Sequence, residues 1–196
     1  MKIKEAKFVI TVASSDKIIV SDLKEFAFVG RSNAGKSSLI NALTNRNKLA
    51  KTSSTPGKTK HINYFLLNDE FYLVDLPGYG FHKASKNMES KWVKLIDDYL
   101  LTSKSLACVF VLMDIRHTPS LLDKQMLTFL HYYQLPYLII ATKADKLSKS
   151  QRHNYASKLA QAVGSTINNV IITSAEEKSG LEVITDKMEE FLGQAE

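Results

Sequence analysis

A glycine-rich stretch between an apolar run and a helical pattern places the tightest limit on the fold. The apolar run Phe26–Val29 is typical of a buried strand, and Ser37–Leu43 has helical spacing. Between them the chain reads, in order, Gly30, Arg31, Ser32, Asn33, Ala34, Gly35, Lys36 and Ser37. This order fits G-x-x-x-x-G-K-[ST] in the strand–loop–helix setting that the motif requires. It predicts a loop whose backbone N–H groups wrap a chain of phosphates.

Two side chains of this loop have a chemistry of their own. Lys36 would bridge the β- and γ-phosphates of a nucleotide as a point charge, and the Ser37 hydroxyl would ligate Mg²⁺. A plain glycine turn is the alternative interpretation, and the flanking strand and helix patterns disfavour it.

Apolar runs and helical patterns alternate along the rest of the chain. The apolar runs are Ile62–Leu67, Phe71–Val74, Ala107–Met113, Tyr137–Ala141 and Val170–Thr173. The helical patterns are Met88–Leu101, Leu121–Tyr132, Gln151–Val163 and Leu181–Phe191. This alternation predicts an α/β fold with a mainly parallel, doubly wound sheet and helices on both faces. Because only three residues separate Leu67 from Phe71, these two strands should form a hairpin, which makes one strand antiparallel.

The length and composition favour one soluble domain. We expect a single domain over residues 1–196, with a short N-terminal extension over about residues 1–24. Ile3–Val12 alternates loosely and predicts an edge strand, which gives a sheet of six or seven strands. Cys108 is the single cysteine, and no apolar run approaches the roughly 20 residues that span a bilayer. These features predict a cytoplasmic protein without a membrane segment, and we expect it to be a monomer.

Positive charge is concentrated in one part of the chain. The protein has 26 basic and 20 acidic residues, and its formal net charge is +6. Between Phe26 and Asn68 there is no acid, and seven basic residues occur: Arg31, Lys36, Arg46, Lys48, Lys51, Lys58 and Lys60. Such a block attracts a polyanion, either nucleotide phosphates or nucleic acid. A solvated basic surface without a partner is the alternative.

A second motif follows the third strand of the pattern. The sequence Asp75-Leu76-Pro77-Gly78 places a carboxylate where an acidic partner of the Mg²⁺ shell is expected. Gly78 allows its backbone N–H to approach a γ-phosphate, which would couple the next loop to the nucleotide state. The D-x-x-G pattern is weak alone and gains weight from its distance to the phosphate loop.

Two later motifs favour guanine over adenine. In Thr142-Lys143-Ala144-Asp145, the Asp145 carboxylate would accept hydrogen bonds from the guanine N1–H and 2-amino group, and adenine would leave it unpaired. Lys143 would lay its alkyl stem along the base plane. Thr173-Ser174-Ala175, at the end of the last strand, would offer a backbone N–H to the guanine O6.

A further magnesium ligand is expected in the loop before the second strand of the pattern. Thr52, Thr55 and Thr59 all have suitable chemistry, and spacing alone does not choose between them.

Together these motifs resemble the translation-factor-related GTPases of the TrmE–Era–EngA–EngB–septin group, and most closely the EngB family (also called YihA or YsxC). The resemblance covers roughly residues 26–175. Its most specific part is a P-G-x-T loop joined to D-x-P-G-Y-G. The matching residues here include Arg46 through Thr59, Asp75 through Phe81, and Met113-Asp114-Ile115-Arg116-His117.

The resemblance implies roles that the pattern alone leaves open. It implies Thr59 as a direct magnesium ligand beside Ser37, with Asp75 acting through water, and it implies nucleotide contacts over Gly57, Lys58, Thr59, Lys60 and His61. Lys36, Thr59 and Gly78 are then the expected catalytic residues. The family further implies a GTP-driven switch in assembly of the large ribosomal subunit, with loss of function affecting growth and cell division through septation.

Two positions bear on the expected rate of hydrolysis. Ras-like enzymes hold a water-orienting glutamine just after D-x-x-G, and here that position is Tyr79. We therefore expect slow hydrolysis of GTP by the free protein. Asn33 matches an asparagine that supports K⁺ coordination in some relatives, which makes K⁺ dependence a hypothesis.

The sequence is compatible with two classes of partner. The basic segment Arg46–Lys60 is expected to contact the RNA and protein of the large ribosomal subunit, and the nucleotide state would reposition it. The alternative is a GTP-regulated protein-interaction module in cell division that does not bind RNA. An RNA-modifying enzyme is disfavoured because the chain has no second domain or catalytic cysteine pair.

Overall fold

The computed structural model describes residues 1–50, 61–79 and 86–193, with the backbone alone at 86–92. The described strands are β1 (Ala6–Val12), β2 (Glu25–Gly30), β3 (Ile62–Leu67), β4 (Phe71–Asp75), β5 (Leu106–Asp114), β6 (Tyr137–Thr142) and β7 (Val170–Ile172). The described α-helices are α1 (Lys36–Leu43), α2 (Lys86–Thr102), α3 (Leu121–Tyr132), α4 (Lys149–Ala162) and α5 (Leu181–Gly193).

All seven described strands form one sheet, in the order β1-β3-β4-β2-β5-β6-β7. Strand β3 pairs antiparallel with both β1 and β4, and every other pairing is parallel. The prediction of a mainly parallel sheet with one antiparallel strand is confirmed, as is the hairpin at residues 68–70. The loosely alternating N-terminal segment forms the edge strand β1, so the sheet has seven strands.

Strand β2 lies at the centre of the sheet, and all six of its residues are buried. Successive side chains of a strand point to opposite faces, so β2 contributes to two separate cores. Phe26 and Phe28 join the core that α1 and α5 cover, and Ala27 and Val29 join the core that α2, α3 and α4 cover. Burial on both faces explains why Phe26–Val29 within β2 is continuously apolar rather than alternating.

Aromatic rings fill the core beneath α1 and α5. The ring of Phe28 lies 5.0 Å from that of Phe110, and the ring of Phe26 lies 5.5 Å from that of Phe71 in a T-shaped arrangement. Cys108 lies fully buried in the same core, and burial raises the pKa of its thiol to about 12. The thiol is therefore protonated and unreactive at neutral pH.

A buried carboxylate anchors the amino end of β2. Glu25 is 1% exposed, and the hydroxyls of Tyr99 and Ser103 donate hydrogen bonds of 2.8 and 2.9 Å to its Oε2. Burial raises the pKa of Glu25 above its ordinary value, although the two hydrogen bonds partly oppose the shift. The network joins β2 to the end of α2.

We predict that Glu25 makes the stability of the protein depend on pH. Because the folded state raises this pKa, the contribution is fully present below the unfolded value and is lost as pH rises through the folded value. Glu25→Gln removes the charge and keeps an acceptor. Chemical denaturation should show wild type losing stability relative to Glu25→Gln as the pH rises from about 4, near the unfolded value, through the raised folded value.

The control variant is Glu25→Ala, which leaves the buried Tyr99 hydroxyl without its acceptor. It should lower the free energy of unfolding by about 1–3 kcal/mol at neutral pH. A wild-type-to-Gln difference that stays constant with pH would contradict the assignment.

Candidate nucleotide site

The glycine-rich loop leaves the carboxyl end of β2 and enters α1. A Cβ at Gly30 would lie 2.7 Å from the backbone oxygen of Leu112, so no larger residue fits beside β5. Gly35 adopts a left-handed φ of +92° directly before α1, a conformation that side chains rarely adopt. Gly30 is thus required by the close approach of β5, and Gly35 is required by the turn into α1. The loop ends on the N-terminus of α1.

Lys36 and Asp75 form a buried ion pair beneath this loop. Their side chains are 8% and 4% exposed, and Lys36 Nζ donates to Asp75 Oδ1. The parallel register of β2 and β4 sets Phe28 beside Asp75, which brings the end of β4 to the base of the loop. The sequence assigned the two residues to one site from separate motifs, and the structure brings them together.

The oxygen donors at this position suit a hard divalent cation. Ser37 lies half-buried in the first turn of α1, and the Asp75 carboxylate lies at the adjacent strand end. One hydroxyl and one carboxylate fit Mg²⁺, which keeps most of its waters and takes other ligands from phosphates. No cluster of three or more His, Cys, Asp or Glu residues suited to a metal occurs in residues 1–50, 61–79 and 86–193.

The D-x-x-G segment packs directly on the phosphate loop. Leu76 and Pro77 are buried, and the Leu76 N–H donates to the Phe28 oxygen at 3.0 Å. A Cβ on Gly78 would lie 3.3 Å from the backbone nitrogen of Ser32. Gly78 is therefore packed against the backbone of the phosphate loop, and its contact with a γ-phosphate stays a prediction.

A cavity of about 230 Å³ opens on the other side of the loop, at the carboxyl ends of β6 and β7. Residues from both predicted base-binding segments line it, together with one from the phosphate loop: Gly35, Thr142, Lys143, Asp145, Thr173 and Ala175. The Thr142 hydroxyl donates to the Ala34 oxygen at 2.6 Å and so fixes the loop to β6. The sequence-predicted residues of both motifs thus surround one cavity.

Asp145 is held in its ionised form at the edge of this cavity. The Ser174 hydroxyl donates a 2.7 Å hydrogen bond to Oδ1, and Lys146 Nζ lies 3.0 Å from Oδ2. The Ser174 hydrogen bond and the ion pair with Lys146 lower the pKa of this carboxyl. An ionised carboxylate is a hydrogen-bond acceptor only, which matches the two donors on one edge of guanine.

Lys143 links the cavity to the phosphate loop. Its backbone is left-handed, with a φ of +61°, and its Nζ donates to the Asn33 oxygen at 2.7 Å. The same Nζ lies 3.1 Å from Asp114 Oδ2. The alkyl stem of Lys143 therefore runs beside the cavity and not away from it.

Asp114 is a site residue to which sequence reasoning gave no role. Besides Lys143, it accepts two hydrogen bonds from the Arg116 guanidinium, at 2.9 and 2.7 Å. Burial opposes the shift, yet the hydrogen bonds from Arg116 and Lys143 hold the pKa of Asp114 well below its ordinary value. The available signal was its place at the end of β5, beside the strand that supplies Lys143.

The last predicted segment lies just beyond its strand. Strand β7 ends at Ile172, so Thr173 to Ala175 form the start of a loop and not the end of the strand. Ser174 and Ser179 exchange two backbone hydrogen bonds of 3.0 Å, and a Cβ on Gly180 would lie 2.1 Å from the Ile172 oxygen. This tight turn, which the sequence did not indicate, holds Ser174 against Asp145.

The remaining predicted residues are separated from this group or undescribed. His61 is exposed immediately before β3, and Arg46 and Lys48 are exposed after α1. The predicted contacts at Gly57, Lys58, Thr59 and Lys60, and the candidates Thr52 and Thr55, lie outside the described residues. Within the described residues, no helix has both the length and the apolar character that crossing a membrane needs.

A phosphate-type loop with a buried lysine, and a base-sized cavity at the same edge of a parallel sheet, define a P-loop nucleotide-binding protein.

Similarity to known proteins shows the family to which the chain belongs. A family model described as a 50S ribosome-binding GTPase matches residues 25–143. A probable GTP-binding protein EngB from Fusobacterium nucleatum is 49% identical over 193 residues, covering 98% of this chain and 99% of that protein. Another from Bacillus subtilis is 42% identical over 181 residues, covering 92% and 93%. The chain belongs to the EngB family of GTP-binding proteins.

Solved structures share the fold. A crystal structure of a probable GTP-binding protein EngB matches with a TM-score of 0.70 and 22% identity, covering 86% of this chain and 98% of that one. Era from Aquifex aeolicus, bound to GDP and AlF₄⁻, matches with a TM-score of 0.72 and 19% identity, covering 89% of this chain and 58% of that one.

Proposed function

We propose that this protein binds GTP with Mg²⁺, hydrolyses it slowly and acts as a switch in assembly of the large ribosomal subunit. The observation that carries the nucleotide assignment is the position of Gly35. Gly35 lines the 230 Å³ cavity at the carboxyl ends of β6 and β7 and directly precedes Lys36. One ligand would therefore reach both the cavity and the buried lysine.

Guanine specificity rests on Asp145. Its carboxylate is ionised and oriented by Ser174, so it accepts from the N1–H and the 2-amino group of guanine. Adenine has an acceptor at N1 and would leave Asp145 unpaired, which is costly in a partly buried site. Within Thr173–Ala175 the backbone N–H of Ala175 would serve O6, because those of Thr173 and Ser174 donate to the oxygens of Ala141 and Ser179. The Thr142 hydroxyl joins the phosphate loop to β6, and the Ala144 N–H donates to the Thr173 oxygen.

Phosphate and metal binding rest on the group at the end of β2. The backbone N–H groups of Asn33, Gly35, Lys36 and Ser37 would receive the phosphates, because those of Ser32 and Ala34 donate to the oxygens of Tyr79 and Arg31. Lys36 would exchange Asp75 for phosphate oxygens. Mg²⁺ would be held by Ser37 and Thr59, with Asp75 acting through water, and would neutralise charge that develops during hydrolysis.

Slow hydrolysis is supported by what Tyr79 does. Its hydroxyl points towards α3 and donates to Asp123 Oδ1 at 2.8 Å. We therefore do not expect this hydroxyl to orient the attacking water. Lys36, Gly78 and Thr59 then remain as the proposed catalytic residues, none of which is a general base. We also propose that K⁺, coordinated with help from Asn33, supplies additional positive charge near the γ-phosphate.

The ribosomal role rests on family membership and charge. Relatives carry the name GTP-binding protein, and the matching family model is described as 50S ribosome-binding. Arg46 and Lys48 are exposed beside the phosphate loop's helix and begin the basic segment Arg46–Lys60. We propose that this segment contacts the RNA and protein of the large subunit in the cytoplasm, that the protein is a monomer, and that growth and septation depend on it.

The first prediction concerns base selection by Asp145. Asp145→Asn replaces an acceptor by an amide that donates, so it should weaken GTP binding by roughly tenfold or more and improve binding of a xanthine nucleotide, which has an oxygen at position 2. Competition against a fluorescent GDP analogue measures both. ATP should compete poorly in either form, and equal competition by ATP and GTP in wild type would refute the guanine assignment.

The second prediction concerns hydrolysis. Phosphate release by the free protein should be far slower than the roughly 1–100 s⁻¹ of kinases, and it should be faster in KCl than in NaCl. Asn33→Ala should remove the difference between the salts. A kinase-like rate would contradict the role of Tyr79, and equal rates in both salts would remove the K⁺ proposal.

The third prediction concerns the ribosome. The double change Lys48→Glu and Lys51→Glu should weaken salt-sensitive co-sedimentation with the large subunit and leave GTP affinity unchanged, because phosphate contacts dominate binding to nucleic acid. The double change Lys124→Glu and Lys158→Glu alters the net charge equally outside the basic segment and should have little effect. Salt-tolerant binding that depends on protein alone would favour the interaction module in cell division.

A further inference from the structure

Tyr79 is tied to the rest of the protein at three points. Its backbone N–H donates to the Gly30 backbone oxygen at 3.2 Å, and its backbone oxygen accepts from the Ser32 N–H at 3.1 Å. Its hydroxyl donates to Asp123 Oδ1 at 2.8 Å, across 44 residues of chain. The residue therefore bridges the phosphate loop and the first turn of α3.

Asp123 is a fixed partner for this bridge. It is 4% exposed, and its other oxygen, Oδ2, accepts from the backbone N–H and the hydroxyl of Ser120, both at 2.7 Å. The backbone N–H contact, together with the Asp123 N–H that donates to the Ser120 hydroxyl, forms the capping box at the start of α3. Because the cap occupies Oδ2 and holds the carboxylate in place, Oδ1 is available to Tyr79 in one orientation.

The bridge constrains the residue before it. Gly78 lies so close to the phosphate loop that a Cβ would be 3.3 Å from the Ser32 nitrogen and 3.4 Å from the Gly30 oxygen. Tyr79 is held by its backbone and by its side chain, which fixes the chain on the carboxyl side of Gly78. The Leu76 N–H donates to the Phe28 oxygen and fixes the chain on the amino side, so the peptide that carries the Gly78 N–H has little freedom between the two. Burial also raises the pKa of the Tyr79 hydroxyl well above its ordinary value, so it stays protonated and donates.

We propose that Tyr79, held by Asp123, is a positioning residue that pre-organises the Gly78 N–H for the third phosphate and thereby favours GTP over GDP. This inference rests on the proposed function, in which Gly78 faces the γ-phosphate. GDP has no γ-phosphate, so only the triphosphate benefits from an ordered Gly78. Ordering that exists before binding does not have to be supplied by the ligand.

The test uses the full chain with Tyr79→Phe, which removes one hydroxyl and keeps the ring. The dissociation constants of GDP and of a non-hydrolysable GTP analogue are measured with Mg²⁺ by calorimetry. We expect the affinity for the analogue to fall roughly three- to tenfold, the effect of one lost hydrogen bond, and the affinity for GDP to stay unchanged.

Two further variants separate positioning from general stability. Ser120→Ala removes the hydroxyl contacts of the cap but keeps the backbone N–H bond to Asp123 Oδ2, so the carboxylate stays oriented towards Tyr79. This variant should lower the melting temperature and keep the ratio of the two affinities. Asp123→Ala should change the ratio as Tyr79→Phe does, and combining the two changes should add nothing further to the ratio.

The outcomes distinguish this inference from the proposed function. If wild type binds both nucleotides and Tyr79→Phe keeps the wild-type ratio, or weakens both ligands equally, the positioning role is overturned and the proposed function stands. A shift of the ratio towards the GTP analogue also overturns it. If wild type binds neither nucleotide, the proposed function fails first and the inference falls with it.

Discussion

The parallel pairing of β2 between β4 and β5 is the constraint on which the rest of the structure depends. This register sets Phe28 beside Asp75 and Gly30 beside Leu112, so the phosphate loop, the D-x-x-G segment and the start of the β5–α3 connection leave the sheet at one edge. The pairing is stable because β2 is buried on both faces, with a helical layer over each. A slip of one residue would exchange the two cores and separate Lys36 from Asp75.

Charge within the site is arranged in pairs that a ligand would rearrange. Lys36 lies against Asp75, and Lys143 lies against Asp114, each cation belonging to a motif that sequence reasoning assigned to a nucleotide. Burying a lone charge is costly, so these carboxylates allow the lysines to remain in place before a polyanion arrives. The two pairs differ in exposure, because the Lys36 side chain is 8% exposed and that of Lys143 is 30% exposed.

Most of the fold and much of the candidate site could be predicted from local sequence. Hydrophobic periodicity gave the strands and helices, and the three-residue connection gave the hairpin, because both signals depend on neighbours in the chain. Contacts between distant segments could not be predicted in this way. In the sequence, Ser120 and Asp123 form an ordinary capping-box pattern. The hydrogen bond that Asp123 accepts from Tyr79 depends on a residue that lies 44 positions earlier. Glu25 similarly gives no local sign that Tyr99 will donate to it.

The sequence by itself determined the phosphate-loop motif, the motif that we predict to bind the base, and the alternation that requires a doubly wound sheet, since each needs only adjacent residues and their spacing. Tertiary structure alone decided the partners: Asp114 for Lys143, Ser174 for Asp145, and Asp123 for Tyr79. The physical reason is that a polar side chain has several possible partners along an unfolded chain. Only the packed sheet and helices fix which of them lies within hydrogen-bond distance.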